Sequence, residues 1–349
     1  MKNYIIPIFI PHYGCPHDCV FCNQRKITGF TTPFTPEQIS EEIERHLKLI
    51  TKPRRIEVAF YGGSFTALGI DIQRALLTPA HVALKKGAIH AIRVSTRPDC
   101  ISAEIVSFLY SYGVTTIELG VQSMDNNVLI AANRGHTSGH VIKAVNSIRK
   151  TPIKLGIQLM PGLPNENLNS LIKTAQQIAG LKPDFVRIYP TIVIANTKLA
   201  DLYQYNLYKP LTIVQAVRYC AYLRLFFEKN DIKVIRTGLQ ATDELASKNV
   251  VLAGPYHPAF GEMVESHIFK AMVEQCLDQV CFSAGKILIS HHPKDTSKIR
   301  GLKNTNVKYW VNKYKIDIEL VQDGVNTGEV VLEYRNMRYV MNKNMLIYL

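Results

Sequence analysis

Short apolar runs alternate with longer helical stretches from the start of the chain to about residue 240. The short runs read as β-strands at Ile5–Ile10, Ile56–Tyr61, Ile89–Val94, Thr116–Val121, Ile153–Met160 and Phe185–Tyr189. Helical stretches fall between them at about 36–50, 70–86, 102–112, 138–150 and 167–180, with another near 211–229. Mostly apolar strands separated by helices predict a parallel sheet, because both of its faces are then covered. Several strands run into breakers: Tyr61-Gly62-Gly63, Thr96-Arg97-Pro98, Met160-Pro161-Gly162 and Tyr189-Pro190. In a β/α barrel the carboxyl ends of the strands form the active-site rim, so polar and breaker residues gathered there predict functional loops.

The rhythm changes after about residue 245. Gly254-Pro255-Tyr256-His257-Pro258 marks a turn, and Glu262–Leu277 reads as one helix. Ile316–Val321 and Val330–Tyr334 flank Gly324 and Gly328 and suggest a hairpin. The expected organisation is an α/β protein: a partial (β/α)6 barrel over residues 1–245, followed by a small α+β domain over 246–349.

Composition narrows the classes. The chain has 349 residues, 47% of them apolar, which is enough for a full core and argues against disorder. No apolar run approaches the ~20 residues of a membrane helix, and Tyr4–Ile10 is short and broken by Pro7, unlike a signal peptide. A cytoplasmic protein with no membrane partner is the expectation. A net charge of +13 implies either a polyanionic partner or a basic surface. Seven cysteines, three of them clustered, suit a metal site in a reducing compartment better than disulfides.

The cluster is Cys15-Pro-His-Asp-Cys19-Val-Phe-Cys22. Three thiolates on a 4Fe–4S cubane would leave one iron open to a small molecule. A zinc knuckle would need a fourth ligand, for which His12 or His17 is at hand. A redox pair would use Cys19 and Cys22 and leave Cys15 unexplained. Further on, Gly62-Gly63-Ser64-Phe65-Thr66 ends the second strand, where glycines let the backbone approach a ligand closely.

The spacing C-x3-C-x2-C with Phe21 before the last cysteine is the signature of the radical S-adenosylmethionine (SAM) enzymes. Residues 1–240 resemble radical SAM proteins akin to the catalytic subunit of the Elongator complex. The matching stretches are Gly62–Leu68, Thr96-Arg97-Pro98-Asp99, Leu119-Gly120-Val121-Gln122-Ser123, Asn133–Thr137, Met160–Pro164 and Ile188-Tyr189-Pro190-Thr191. The chain departs from that subunit in its more compact cysteine spacing and in showing no acetyl-CoA loop.

The resemblance implies a 4Fe–4S cluster on Cys15, Cys19 and Cys22, with SAM on the fourth iron. Gly62, Gly63, Ser64 and Thr66 would hold the methionine end. Arg97 and Glu118 are candidates for its carboxylate, ribose or amino contacts, while Gln122, Gln158 and Met160 line the rim nearer the adenosine. The alternatives for these residues are structural: Glu118 paired with a neighbouring Arg, Met160 in plain core. Arg187 and Tyr189 are the catalytic candidates, with a barrel-end aromatic as the alternative for Tyr189. His136 is more simply a solvated loop residue, and Tyr256 and His257 either close the barrel or make a turn.

The implied function is reductive cleavage of SAM to a 5′-deoxyadenosyl radical, directed at the wobble uridine of tRNA. It implies a reductase, flavodoxin or ferredoxin as electron donor and a separate acetyltransferase as partner. The basic stretch 294–315, with seven Lys/Arg against Asp295, supports RNA binding through Lys294, Lys298, Arg300, Lys303 and Lys308 beside Tyr309, Trp310 and Tyr314. Val307, Trp310 and Val311 also fit one helical face, which turns Trp310 inward. Two other functions remain open: the same chemistry on a protein, peptide or tetrapyrrole-like molecule, and a zinc-stabilised RNA-binding module without catalysis.

Overall fold

The computed structural model describes residues 3–10, 15, 17–23, 34–52, 54–240, 242–247, 249–279 and 286–347; His12 lies outside them. In chain order the strands of the first part are β1 (Asn3–Phe9), β2 (Arg55–Tyr61), β3 (Ala91–Thr96), β4 (Val114–Gln122), β5 (Lys154–Leu159), β6 (Phe185–Ile188), β7 (Val193–Ile194) and β8 (Lys233–Thr237). All but β7 form one parallel sheet in the order β1-β2-β3-β4-β5-β6-β8. The helices between them are α1 (Pro36–Leu49), α2 (Ile70–Lys85), α3 (Ala103–Ser111), α4 (Asn126–Ala131), α5 (Ser138–Ile148), α6 (Leu168–Gly180), α7 (Lys198–Gln204) and α8 (Ile213–Lys229). This is the α/β half-barrel of the sequence reading, extended by a seventh strand. β8 escaped notice because it is short and offers one buried apolar residue, Val234, between polar ends.

Helix starts follow local chemistry. Thr35, Asn167 and Thr212 each accept a backbone N–H of the first turn, and Gln38, Ser170 and Gln215 return the bond. The strands carry two faces. Ile56, Val58 and Phe60, then Ile92 and Val94, then Ile117, Leu119 and Val121 point outward into one core beneath the helices. The alternate positions, Glu57, Tyr61, Arg93, Glu118, Gln158 and Arg187, face the hollow side. These strands are buried on both faces, but only the outer one is an apolar core.

Beyond β8 come α9 (Asp243–Ala246), β9 (Val251–Ala253) and α10 (Phe260–Leu277). β9 returns to pair antiparallel with β7, and α10 packs on α8, sharing its core through Val264, Ile268 and Met272. The last elements are β10 (Lys286–His291), α11 (Thr296–Arg300), α12 (Thr305–Tyr314), β11 (Asp317–Gln322), β12 (Glu329–Tyr334) and β13 (Met337–Asn342). The expected hairpin between the strands at 317–322 and 329–334 does not form. The order is β11-β10-β12-β13, with β10 inserted between those two strands, parallel to β11 and antiparallel to β12. Ile287 and Ile289 of β10 are fully buried and take the centre, while β11 has no fully buried position and suits an edge. The hairpin is β12–β13 instead. Trp310 is wholly buried on α12, as its helical face suggested.

Candidate active site

The hollow side of the half-barrel encloses a cavity of about 1290 Å³. Cys15, Cys19 and Cys22 line it together with Gly62, Gly63, Arg97, Glu118, Gln122, Gln158, Met160, Arg187 and Tyr189. The cysteine loop is pinned from two sides. Val20 N–H donates to Ala132 O (3.1 Å), Asn133 Nδ2 to Asp18 O (2.7 Å), and Leu199 N–H to Val20 O (2.7 Å). His17 packs over Gly135, where a Cβ would stand 2.2 Å from its ring, so this contact requires glycine.

Cys19 receives two guanidinium groups. Arg134 Nη1 lies 3.1 Å from its sulfur and Arg97 Nη1 4.0 Å away. Arg97 also holds Asp99 through Nε and Nη2, both at 3.1 Å, and donates to the Arg134 carbonyl. Arg134 donates to Gly120 O at 2.5 Å. Arg97 and Arg134 are 4% and 6% exposed, and among the described residues Asp99, paired with Arg97, is the one carboxylate in ion-pair contact with either. Arg97 thus meets Asp99, the Arg134 carbonyl and the Cys19 sulfur while it lines the cavity. His136, expected to be solvated, is 3% exposed and bonded to Val121 O at 3.2 Å. Burial first, then Arg134 and Arg97, push its pKa down to about 3.

Ser64 and Thr66 do not line the cavity. Both hydroxyls turn into the wall and meet Thr96 Oγ1, at 3.1 and 2.6 Å. They brace the loop that presents Gly62 and Gly63 to the cavity. Gln122 carries φ +69°, and its carbonyl accepts from Met160 N–H (3.0 Å) while its Oε1 accepts from Gln158 Nε2 (3.3 Å). The three rim residues thus form one bonded unit.

Glu118 pairs with arginines. It accepts from Arg93 Nη1 and stands 3.0 Å from Arg187 Nη2; Arg93 also donates to Glu57 at 2.7 Å. Arg187 Nη1 donates to Tyr189 Oη (2.9 Å) and Nη2 to Tyr61 Oη (3.3 Å). Burial opposes the charge on Arg187, but Glu118, Tyr189 and Tyr61 together outweigh it and raise the pKa. Burial, then Glu118, pushes the Tyr61 phenol up to about 12, so it stays protonated. Tyr256 packs behind Ile192, Ile194 and Leu245, and His257 Nδ1 accepts from Ala259 N–H (3.0 Å) at the start of α10; neither lines the cavity.

The basic stretch is elsewhere. None of Lys294, Lys298, Arg300, Lys303 and Lys308 lines the cavity. Lys298 is tied down internally, 2.6 Å from Asp295 and 3.8 Å from Glu265, while the other four are exposed. Sequence reasoning missed Arg134, Arg93 and Arg236 as cavity residues. For the latter two, an arginine alternating with apolar strand positions was the available signal. The three thiols share one rim, yet among the described residues no three His, Cys, Asp or Glu side chains converge on a single ion. A tetrahedral zinc site needs such convergence. A cubane takes one thiolate per iron and so spreads them.

Comparison with known proteins fits this geometry. Residues 9–178 match the radical SAM superfamily and residues 183–270 the radical SAM C-terminal domain. The chain belongs to the radical SAM superfamily. A radical SAM enzyme carries a 4Fe–4S cluster and SAM, and the three thiols fit such a cluster. The tRNA uridine(34) acetyltransferase of Methanocaldococcus jannaschii is 27% identical over 316 residues, covering 78% of this chain and 57% of that protein. Human Elongator complex protein 3 is 26% identical over 263 residues, covering 61% and 48%. The chain thus spans about half the length of these curated relatives. Among solved structures, an archaeal Elp3 from Methanocaldococcus infernus with an N-terminal deletion shares the fold, with TM-score 0.62 and 23% identity over 95% of this chain and 73% of that one. Among the described residues no helix is long and apolar enough to cross a membrane.

Proposed function

We propose that this chain is a radical SAM enzyme acting on tRNA, at a wobble uridine. The observation that carries the reading is the shared cavity: Cys15, Cys19 and Cys22 stand on the same hollow face as Gly62, Gly63 and the Gln122–Gln158–Met160 unit. When bound, the reduced cluster and SAM supply a carbon-centred radical for hydrogen abstraction, chemistry that belongs to the cofactor. Around it the chain supplies position and insulation. Backbone groups of Gly62 and Gly63 receive the methionine end, while Gln122, Gln158 and Met160 form the wall for the adenosine. Arg97 and Arg134 hold the Cys19 sulfur. Tyr189 and Tyr61, fixed by Arg187, offer O–H groups toward the substrate space. A flavodoxin, ferredoxin or reductase would supply electrons, and a separate acetyltransferase activity would complete an Elongator-type reaction. The domain division near residue 245 and RNA contact through Lys294, Arg300, Lys303 and Lys308 belong to the same proposal.

The names of the relatives, which include tRNA uridine(34) acetyltransferase, support the substrate class. A smaller anionic substrate is the second reading, favoured by the absence of the basic stretch from the cavity wall. Anaerobically reconstituted protein should cleave SAM, and Cys19→Ala should not. Mass spectrometry of tRNA nucleosides from cells with and without the gene tests the substrate, and identical profiles would remove the tRNA reading.

A further inference from the structure

Charged side chains cross the hollow face from strand to strand, and their signs nearly alternate. Glu57 stands on β2, Arg93 on β3, Glu118 on β4 and Arg187 on β6. Arg93 is shared between Glu57 and Glu118, and Glu118 reaches past β5 to Arg187. The position passed on β5 is Gly156, where a Cβ would sit 3.0 Å from Glu118 Cγ and 2.4 Å from the Phe185 ring. A side chain there would block the crossing. Two carboxylates are thus satisfied by two guanidiniums.

The alternation fails at the last strand. In register, Arg187 on β6 stands beside Arg236 on β8, a like-charge neighbour where an acid would be favourable. Arg236 lines the cavity and is half-buried. Its one hydrogen bond among the described residues is from Nε to Gly238 O, at 3.3 Å, and no carboxylate there lies within ion-pair distance. The residues outside the described set include no Asp or Glu. Asp243 and Glu244 on the short α9 are exposed and make no ion pair with it. A part-buried guanidinium with no carboxylate partner, on the strand position next to another arginine, is unfavourable unless an anion joins it. Its outer edge presents parallel N–H donors, the fork that fits two oxygens of a phosphate. β8 is also an end strand of the open sheet, so the fork stands where the cavity meets its edge, beside Leu239, Gln240 and Thr242.

We propose that Arg236 is the anchor for a phosphate group of the substrate. This deepens the reading of the cavity as the reaction chamber and rests on it. The phosphate belongs either to an RNA backbone or to a small phosphorylated metabolite.

The test uses cluster-reconstituted wild type, Arg236→Gln and Arg236→Lys. In the first arm the melting temperature is read in inorganic phosphate against chloride at matched ionic strength. Wild type should be stabilised by phosphate, Arg236→Gln should lose that shift, and Arg236→Lys, which keeps the charge without the fork, should keep part of it. Equal phosphate shifts in wild type and Arg236→Gln, or none in either, overturn the proposal. Arg236→Lys keeps the test valid should the Gln variant be unstable in chloride. The second arm measures binding of a labelled anticodon stem–loop RNA across a salt series. A fall of about 0.7 in the slope of log affinity against log salt for Arg236→Gln, with about tenfold weaker binding, assigns the phosphate to RNA. An unchanged slope with a positive first arm assigns it to a small metabolite. If wild type binds no RNA, the tRNA reading fails while the first arm still decides the role of Arg236.

Discussion

Glu118 in the half-barrel and Glu265 on α10 are both buried acids that gather several cations, but they close differently. Glu265 holds Arg224 of α8, Lys343 at 2.7 Å and Lys298 at 3.8 Å, joining the half-barrel helices to the C-terminal sheet. Burial opposes its charge, and the three cations outweigh that and lower its pKa. None of these four side chains lines the cavity of the half-barrel. Glu118 holds Arg93 and Arg187 on the wall of a 1290 Å³ cavity, and the neighbouring Arg236 is left unmatched. The contrast teaches that a complete ion network marks architecture, whereas one that stops short beside open space marks a place for a ligand.

If that contrast is right, chemistry fails completely only when the hollow face is damaged. Cys19→Ala should bring iron content well below the about four irons of a full cubane and reduce SAM cleavage to background. Trp310→Ala, at a fully buried site of the C-terminal region, should lower stability by about 3–5 kcal/mol yet leave the iron content of the folded protein intact. Loss of the cluster in the tryptophan variant would erase the distinction between the regions.

The next effect compares the two acids directly. Glu118→Leu leaves the buried Arg187 without its carboxylate and Arg93 with Glu57 alone, and should cost about 3–5 kcal/mol in urea unfolding, with Glu265→Leu of similar size. Only Glu118→Leu should also disturb ligand binding in the cavity. Equal disturbance by Glu265→Leu would break the comparison.

Acid offers a smaller and graded perturbation. His136 titrates near 3 in the folded chain against 6.5 when unfolded, so the folded state stays neutral while the unfolded state takes up a proton. Its contribution is present above pH 6.5 and is lost as pH falls toward 3. Between pH 6 and 4.5 the loss is about 2 kcal/mol, and His136→Gln should remove that part of the slope. An acid slope unchanged in His136→Gln would mean that other groups drive it.

Much of this was legible in the chain. The cysteine spacing, the Gly62-Gly63 turn and six of the seven half-barrel strands are local signals, readable without knowing what lies opposite. What escaped depends on partners far apart in sequence. Ser64 and Thr66 look like ligand hydroxyls until Thr96, some thirty residues on, is seen to engage both. Arg97 reads as a contact for a ligand carboxylate, and only the fold brings its guanidinium to the Arg134 carbonyl and the Cys19 sulfur. The loop between Gln322 and Glu329 suits a hairpin, and only the burial of Ile287 and Ile289 explains why β10 displaces it.

The basic stretch 294–315 shows the same limit and yields the smallest expected effect. Read as composition, its cations are interchangeable, but in the fold they are not. Lys298 spends its charge on Asp295 and Glu265, while Lys294, Arg300, Lys303 and Lys308 are exposed. If RNA lies along this surface, replacing those four with Gln should flatten the salt dependence of binding by about 0.7 per lost phosphate contact. Lys298→Met should leave that slope unchanged and lower stability by about 1 kcal/mol, because it removes one of several cations from a shared buried acid. A slope that responds to Lys298 as strongly as to Lys303 would mean the lysine leaves Asp295 to meet RNA, and the line between the closed junction and the open cavity would have to be redrawn.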